Sequence, residues 1–272
     1  MGATVRNVTV GRQRLRVAVR PGTDPARPPL LLCNGIGASL DLLDPFVAAL
    51  DPAIEVIRFD PPGVGGSPVP PLPYPYPLLA RLAGRLLDAL GHDRFDVLGI
   101  SWGGGLAQQL ALQNPRRVRR AVLVATATGW LMVPARPGVL AHLATPRRYW
   151  DPGYVRAIAG TIYGGRMREE PELVQRLLYD YERKLTARGY LYQLAAGAGW
   201  TSTPFLPLLR QPTLVLAGAD DPIVPLVNGR LMARLMPRAT LHVYPDGHLG
   251  LLTMKGELAA VVAGFLAPDV SR

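Results

Sequence analysis

Short, continuously apolar runs recur along the chain of 272 residues, and stretches with helical periodicity separate them. The runs at 30–33 and 122–125 show no alternation of apolar and polar side chains, which indicates strands that are covered on both faces. Strands of this kind are typical of a mostly parallel sheet flanked by helices, so we predict an α/β fold. The expected strands are residues 15–19, 30–33, 54–59, 95–100, 121–125, 213–217 and 240–244.

The regular alternation of strand and helix stops after Ala125 and resumes at Thr213, which indicates an insertion. We expect residues 1–130 and 208–272 to form the α/β core and residues 131–207 to form a helical cap. The cap segment holds more than half of the Phe, Trp and Tyr of the chain, a composition suited to a packed core or to the wall of a channel for an apolar substrate. Apolar spacing predicts helices at 78–90, 154–163, 171–185, 189–200, 226–236 and 257–266.

The strand at 95–100 runs into a G-x-S-x-G pentapeptide, Gly99-Ile100-Ser101-Trp102-Gly103, and helical sequence follows directly. Glycine on each side lets the chain turn sharply around the serine, which places its hydroxyl at the tip of the turn. A serine in a strand-turn-helix of this kind is typical of the nucleophile elbow of α/β hydrolases. We therefore predict that Ser101 is a nucleophile.

A nucleophilic serine needs a general base and an acid that orients the base, because its free hydroxyl is weakly nucleophilic at neutral pH. Of the four histidines, His248 follows the last predicted strand in a turn at the sheet edge where Ser101 also lies. In α/β hydrolases the acid comes between serine and histidine in the chain. Asp220 and Asp221 both qualify. We choose Asp221 for its Asp-x-x-x-Pro pattern, although spacing alone leaves both open.

An oxyanion hole requires two backbone N–H groups that point at the same oxygen. We expect one from Trp102, directly after the serine, and the other from Ile36 in a glycine-rich bend after the strand at 30–33. The bend has Asn34-Gly35 where many α/β hydrolases have His-Gly, a difference that changes a side chain and not the donor. Cys33 belongs to the strand and is expected in the core.

Composition argues against several other classes of protein. The formal net charge is +10, yet Lys184 and Lys255 are the only lysines, a bias typical of genome composition and not of a nucleic-acid patch. No nucleic-acid module accompanies the arginines, so we predict no nucleic-acid partner. A single cysteine allows no intrachain disulfide, and no apolar run is long enough to span a bilayer. We expect a soluble cytoplasmic protein without a secretion signal.

No cofactor and no metal are expected. The sequence Gly63-Val64-Gly65-Gly66-Ser67-Pro68 follows a strand, but proline occupies the third glycine position of G-x-G-x-x-G. The proline-rich stretch beyond it cannot open a helix onto a pyrophosphate, so a dinucleotide site is excluded. The four histidines are scattered and the cysteine stands alone, which is not a metal-ligand pattern.

Motifs spread over nearly the whole chain resemble those of one family. They are Asn34-Gly-Ile-Gly, Asp60-x-Pro-Gly-Val-Gly-Gly-Ser67, Gly99-Ile-Ser-Trp-Gly-Gly104, Pro-Arg-Arg-Tyr at 146–149, Ile162-Tyr-Gly-Gly165, Gly199-Trp-Thr-Ser202, Asp221-Pro-Ile-Val-Pro225 and Asp246-Gly-His-Leu249. In this combination the chain resembles the intracellular medium-chain-length polyhydroxyalkanoate depolymerases. The related polymer synthases are similar but carry cysteine in the elbow, so Ser101 indicates breakdown of the polymer.

The resemblance implies hydrolysis of ester bonds in a stored poly(3-hydroxyalkanoate), with release of 3-hydroxyacyl monomers or short oligomers. It implies a cytoplasmic protein that acts at the surface of the storage granule, with the polyester as its partner and without a cofactor. Asn34, Trp130, Trp150 and Trp200 are the residues that we expect to contact the substrate.

Two alternatives share most of these features. A general carboxylesterase for small acyl esters would have the same site residues and would differ only in the cap. A non-catalytic binding protein on the hydrolase fold is a more distant alternative, against which the complete set of Ser101, Asp221 and His248 argues. Nothing in the sequence predicts an oligomeric state.

Overall fold

A computed structural model describes residues 2–179 and 185–268 of the chain. Its strands are β1 (Thr4–Val10), β2 (Gln13–Arg20), β3 (Leu30–Cys33), β4 (Val56–Phe59), β5 (Phe95–Ile100), β6 (Val118–Val124), β7 (Thr213–Gly218) and β8 (Ala239–Tyr244). They form one sheet in the order β1-β2-β4-β3-β5-β6-β7-β8. The β1–β2 and β2–β4 pairs are antiparallel and all the other pairs are parallel, which confirms the predicted α/β fold.

The central strands are buried on both faces. Every residue of β3, β4, β5 and β7 is buried. Successive side chains of β3 point to opposite sides of the sheet, so Leu30 and Leu32 belong to one hydrophobic cluster while Leu31 and Cys33 belong to another. This two-sided burial is the physical reason for the continuous apolar runs in the sequence.

Helices cover both faces of the sheet. Helices α1 (Asp44–Ala49) and α11 (Lys255–Leu266) bring Phe46 and Val262 to the first cluster, and α2 (Tyr76–Ala89) and α3 (Trp102–Gln113) bring Leu79 and Leu106 to the second. Within the described residues, no helix has the length and apolarity that crossing a membrane requires. The helices are α1 (Asp44–Ala49), α2 (Tyr76–Ala89), α3 (Trp102–Gln113), α4 (Pro137–Leu143), α5 (Pro152–Tyr163), α6 (Arg166–Glu169), α7 (Leu173–Tyr179), α8 (Ala187–Gly197), α9 (Leu226–Leu235), α10 (Gly250–Thr253) and α11 (Lys255–Leu266).

All seven predicted strands are present, with small differences at their ends, but sequence reasoning missed β1. This strand pairs with β2 alone, at the edge of the sheet, and most of its side chains are exposed. An edge strand of this kind needs no apolar run, so it does not show the pattern that identified the buried strands.

The segment between β6 and β7 contains five α-helices, α4 to α8, and two 3-10 helices, Pro146–Tyr149 and Thr203–Leu208, in its described part. The helices predicted at 154–163 and 189–200 correspond to α5 and α8. The helix predicted at 171–185 corresponds in part to α7, while residues 180–184 lie outside the described residues. Three side chains of α5, Val155, Ala159 and Ile162, are buried in the same cluster as Leu30 and Leu32 of β3. The division into a core and a cap at residues 131 and 207 stays a prediction.

Candidate active site

Ser101 joins β5 to α3 in a backbone conformation that few residues other than glycine adopt, with φ 54° and ψ −121°. Hydrogen bonds on both sides hold this strained turn. The N–H of Ser101 donates to the carbonyl oxygen of Val124 at 2.9 Å, and its own carbonyl oxygen accepts from the hydroxyl of Thr126 at 2.7 Å. The serine is therefore fixed in place before any substrate arrives.

The glycines of the pentapeptide are required by close backbone approach. A Cβ atom on Gly103 would lie 2.2 Å from the carbonyl oxygen of Cys33, and one on Gly99 would lie 2.2 Å from the carbonyl oxygen of Gly103. Real Cβ atoms do not come so near to other atoms, so any larger residue would push α3 away from β3 and β5. The elbow thus depends on G-x-S-x-G for packing as well as for its turn.

His248 and Asp221 are in direct contact. Nδ1 of His248 lies 2.8 Å from Oδ2 of Asp221, and both residues are buried, at 6% exposure each. The other carboxylate oxygen accepts hydrogen bonds from the backbone N–H groups of Ile223 and Val224, both at 2.9 Å. One oxygen is thus held by the backbone and the other by the imidazole. With Nδ1 on the carboxylate, Nε2 is the ring nitrogen left to exchange a proton.

Asp220, which sequence spacing left as an equal candidate, has different partners. Its carboxylate accepts from Nε and Nη2 of Arg168 at 2.7 and 3.0 Å and from the N–H of Gly165 at 2.8 Å. The hydrogen bonds from Arg168 lower the pKa of Asp220 below its usual value. Of the two carboxylates, Asp221 is the one that contacts the histidine, while Asp220 binds the turn between α5 and α6.

The two expected oxyanion donors belong to segments that adjoin Ser101. Trp102 is the first residue of α3, and Ile36 lies in the bend after β3. A Cβ atom on Gly35 would lie 3.6 Å from the Cβ of Ser101, so this bend sits directly against the serine. The first N–H groups of a helix point out of its end and are suited to stabilising an anion.

Gln193 of α8 connects the two sides of the expected oxyanion hole. Its side-chain oxygen accepts from the N–H of Gly37 at 2.7 Å, and its backbone carbonyl accepts from the indole N–H of Trp102 at 2.8 Å. Gln193 is fully buried. One residue from the segment between β6 and β7 therefore restrains both the bend after β3 and the start of α3.

Two cavities meet at Ser101. The inner cavity has a volume of about 200 Å³, and His248 and Ser101 form part of its wall. Most of its remaining lining is aliphatic, with Ile36, Leu178 and Leu252 among the contributors. An apolar cavity beside a serine and a histidine is suited to hold a hydrocarbon group next to the reacting bond.

The outer cavity is larger, at about 680 Å³, and opens more widely to the surface. Trp130 and Trp200 line it, together with Ser101. The Trp200 ring packs edge-on against Tyr76 with centroids 4.8 Å apart, and its indole N–H donates to Oε1 of Gln109 at 2.8 Å. Trp200 is thus a fixed wall, whereas Trp130 is 75% exposed at the rim.

The other two residues expected to contact substrate lie elsewhere. Asn34 is buried, and its side-chain N–H₂ donates to the carbonyl oxygen of Ser39 at 2.6 Å, which braces the bend after β3. Trp150 is 53% exposed and is part of neither of these two cavities. The structure thus brings Trp130 and Trp200 to the serine but not Asn34 or Trp150, and the substrate roles of all four stay predictions.

Comparison with known proteins identifies the family. A family model described as the alpha/beta hydrolase fold matches residues 28–253. The chain belongs to the α/β hydrolase family.

Relatives of this α/β hydrolase match it over nearly its full length. The chain is 50% identical over 267 residues to the poly(3-hydroxyalkanoate) depolymerase of Ectopseudomonas oleovorans, which covers 98% of this chain and 94% of the relative. This match confirms the resemblance drawn from the motifs. The chain is 28% identical to 3-oxoadipate enol-lactonase 2 of Acinetobacter baylyi, over 82% of each protein. A crystal structure of a hydrolase from Pseudomonas aeruginosa PA01 superposes with a TM-score of 0.79 and 28% identity, covering 97% and 99% of the two chains.

Sequence reasoning missed three residues of this α/β hydrolase that surround the site: Arg148, Tyr163 and Gln193. Arg148 and Tyr163 stand in motifs that marked the family resemblance, but nothing in those motifs showed what their side chains or backbone would contact. Gln193 carried no signal, because a single glutamine in a predicted helix resembles any solvated polar residue. In the folded chain Arg148 and Tyr163 line the inner cavity together with Ser101, and Gln193 contacts Gly37 and Trp102.

Cys33, the one cysteine of the chain, is buried. Burial raises the pKa of the Cys33 thiol far above its usual value, so the reactive thiolate does not form at neutral pH. Among the residues that the structure describes, no group of histidine, cysteine and carboxylate side chains is arranged to hold a metal ion.

Proposed function

We propose that this α/β hydrolase cleaves the ester bonds of a poly(3-hydroxyalkanoate) with medium-length side chains and releases 3-hydroxyacyl monomers or short oligomers. The observation that carries the proposal is the 50% identity to a poly(3-hydroxyalkanoate) depolymerase over 98% of the chain. That match includes the segment between β6 and β7, whose residues form much of both cavities. The aligned region therefore covers the substrate side as well as the elbow.

The proposed chemistry is acyl transfer through Ser101. His248 takes the proton of the serine hydroxyl as the oxygen attacks the ester carbonyl, and Asp221 orients the imidazole and stabilises its charged form. The N–H groups of Ile36 and Trp102 stabilise the negative oxygen of the tetrahedral intermediate. His248 then gives the proton to the departing alcohol, and a water molecule activated by the same histidine releases the acyl group. These steps need no cofactor.

The cavities support an alkyl-bearing substrate. An aliphatic side chain of medium length buries apolar surface against the inner wall, and each buried methylene group stabilises the complex by about 0.8 kcal/mol. The indole rings of Trp130 and Trp200 supply a broader apolar wall outside. We propose that residues 131–207 act as a cap that forms the roof of both cavities.

We also propose that the protein works at the surface of a polymer granule in the cytoplasm. Apolar side chains are exposed around the mouth of the outer cavity, which is unusual on a surface that meets only water. Contact of this rim with an apolar polymer would bring chains directly to the opening. The exposed side chains that line this cavity are Trp130, Leu140 and Leu194, and Leu131 and Val133 are exposed chain neighbours of its lining residues Trp130 and Met132.

A comparison of two substrates tests the proposal. Hydrolysis of a medium-chain polymer latex and of p-nitrophenyl octanoate is measured with the wild-type protein and with Ser101→Ala, whose folding is checked by circular dichroism. We expect the wild type to hydrolyse both and Ser101→Ala to hydrolyse neither. Turnover of the small ester without any release from latex would favour a general carboxylesterase, and no turnover of either would favour a binding protein.

A further inference from the structure

Three aliphatic side chains stand between the two cavities that meet at Ser101. Leu143 of α4, Leu194 of α8 and Ile223 line both the inner and the outer cavity. Ser101 also lines both, so the serine lies where the two cavities join. An ester whose carbonyl carbon is bonded to Ser101 can therefore extend one half into each cavity.

The position of His248 determines which half of the ester enters which cavity. Its Nδ1 is held by Asp221 at 2.8 Å, so Nε2 is the atom that protonates the departing oxygen. The alcohol half of the ester must therefore begin next to the histidine. His248 lines the inner cavity and is not among the residues that line the outer one. The alcohol half thus extends into the inner cavity, and the acyl half, which stays on Ser101, extends into the outer cavity.

The wall of the inner cavity is suited to a hydrocarbon chain, because most of its lining is aliphatic. Arg148 also lines this cavity, but its guanidinium is occupied within the protein. It donates to the Tyr190 hydroxyl at 3.0 Å and to the carbonyl oxygens of Leu143 and Thr145, both at 3.3 Å. The cavity therefore offers a ligand mainly apolar surface, which favours an alkyl group.

The two cavities also differ in size. The inner cavity has a volume of about 200 Å³ and the outer cavity one of about 680 Å³. A methylene group occupies about as much space as a water molecule in the liquid, roughly 30 Å³, so the inner cavity has room for an alkyl chain of about six carbon atoms. The outer cavity opens more widely to the surface, and a longer group can extend from it into solvent. The two halves of an ester therefore meet different limits on their length.

We propose that the inner cavity binds the alkyl group of the departing alcohol unit, and that Leu42 and Leu252 in its wall set the longest alkyl group that fits. In a poly(3-hydroxyalkanoate) this group is the side chain on carbon 3 of the unit whose 3-oxygen departs. The limit on side-chain length thus belongs to the departing unit and not to the unit that stays on Ser101. The inference rests on the ester hydrolysis of the proposed function, but not on a polymer as the substrate.

Leu42 and Leu252 reach the inner cavity from two different elements. Leu42 belongs to the 3-10 helix Leu40–Leu43 that follows β3, and Leu252 belongs to α10. Both line the inner cavity and neither lines the outer one. A larger side chain at either position takes space from the inner cavity alone, so two independent substitutions should have the same effect.

The test uses two series of esters that vary one half at a time. The alcohol series consists of octanoate esters of 2-alkanols from 2-butanol to 2-undecanol, in which the departing oxygen is secondary as in the polymer. The acyl series consists of 2-butyl esters from acetate to decanoate. For the wild type we expect kcat/KM in the alcohol series to rise about threefold to fourfold per methylene group up to an alkyl group of about six carbon atoms, and then to fall at least about tenfold. In the acyl series we expect no such fall.

Substitutions in the cavity wall should move the limit in the alcohol series alone. We expect Leu252→Phe and Leu42→Phe each to shorten it by about one or two carbon atoms, and Leu252→Ala to lengthen it by about two. Leu140→Phe is the matched control and should leave the limit unchanged, since Leu140 lines only the outer of these two cavities. If one Phe variant does not fold, the other variant and the two wild-type series still decide.

The same limit in both wild-type series, or a limit in the acyl series alone, would overturn the inference. So would an unchanged limit in folded Leu42→Phe and Leu252→Phe. Hydrolysis of polymer latex by the wild type separates this inference from the proposed function. Latex hydrolysis without a limit in the alcohol series would leave only the proposed function standing, and the limit without latex hydrolysis would leave only the inference standing. Absence of hydrolysis of latex and of every ester would remove both.

Discussion

The backbone N–H of His248 donates a hydrogen bond to the carbonyl oxygen of Tyr163 at 2.8 Å. Tyr163 ends α5, so the segment between β6 and β7 holds the histidine loop directly. The turn that follows makes two more contacts of this kind: Gly165 donates to the Asp220 carboxylate and Arg166 donates to the Asp246 carboxylate, both at 2.8 Å. The geometry of Asp221 and His248 therefore depends on this turn as well as on the sheet.

The turn between α5 and α6 should be intolerant of even one added methyl group. A Cβ atom on Gly165 would lie 1.8 Å from Oδ1 of Asp246, and its φ of +50° disfavours any other residue. We expect Gly165→Ala to lower the free energy of unfolding by about 1–3 kcal/mol and the esterase kcat by at least about tenfold. Thermal unfolding and p-nitrophenyl octanoate turnover measure the two effects.

The control for this variant is Gly264→Ala in α11, where nothing lies within 4 Å of the added Cβ atom. Because alanine is the better helix former, this change should stabilise the protein slightly and leave turnover unchanged. Equal behaviour of the two variants would show that the turn does not hold the site.

The contact between Asp220 and Arg168 should make a pH-dependent contribution to stability. Hydrogen bonds from Arg168 lower the pKa of Asp220 from 3.8, so the stabilisation is present above pH 3.8 and is lost as the pH falls through the folded-state pKa. Both side chains are half exposed, which limits the effect to about 1 kcal/mol or less. Urea unfolding at pH 7 should show Asp220→Asn to be the less stable protein, and the gap should close toward pH 3. A gap that widens in acid would contradict the assignment.

Removing the side-chain acceptor of Gln193 should damage catalysis more than binding. Gln193→Leu leaves the N–H of Gly37 without its partner beside the expected oxyanion donor Ile36. A small displacement of that bend should reduce kcat by about tenfold to a hundredfold, with little change in KM. Gln175→Leu on the exposed side of α7 is the control. Equal kcat values for Gln193→Leu and the control would contradict a positioning role.

The two exposed tryptophans should behave differently on polymer. Trp130 lines the outer cavity and Trp150 lines neither cavity described above, although both are largely exposed. We expect Trp130→Ala to slow the hydrolysis of polymer latex several-fold and to leave p-nitrophenyl acetate turnover unchanged, because the small ester does not reach the rim. Trp150→Ala should match the wild type on both. A larger loss on latex for Trp150→Ala would show that the granule-facing surface lies elsewhere.

Most of the sheet was predictable because its strands are buried on both faces. Burial of every residue in β3, β5 and β7 favours apolar side chains at most positions, and that pattern is visible in the sequence. Asp96 of β5 is a buried exception that pairs with Arg119. The edge strand β1 was not predictable in this way, since only part of it contacts the core. Its three valines, Val5, Val8 and Val10, do not alternate regularly with the polar residues between them.

The residues of the site also differ in how well the sequence predicts their positions. Ser101, Asp221 and His248 follow strands that end at one edge of a parallel sheet, so local sequence and topology together were enough to predict that they lie close together. The contact between Gly37 and Gln193 joins residues 156 positions apart, and the packing of helices that creates it leaves no local pattern. The same holds for the place of Arg148 in the inner cavity. Contacts made by the helices between β6 and β7 could not be predicted from the sequence and are seen only in the structure.

We expect one serine, Ser101, to carry out the hydrolysis of the polymer, and stoichiometric labelling of that serine is the decisive measurement. The protein is treated with a fluorophosphonate, the labelled peptide is mapped by mass spectrometry, and latex hydrolysis is measured as a function of the fraction labelled. We expect one label per chain, on Ser101, and a rate that falls to background in proportion to the label. Hydrolysis of latex at the full rate by protein that is completely labelled at Ser101 would show that Ser101 is not the nucleophile.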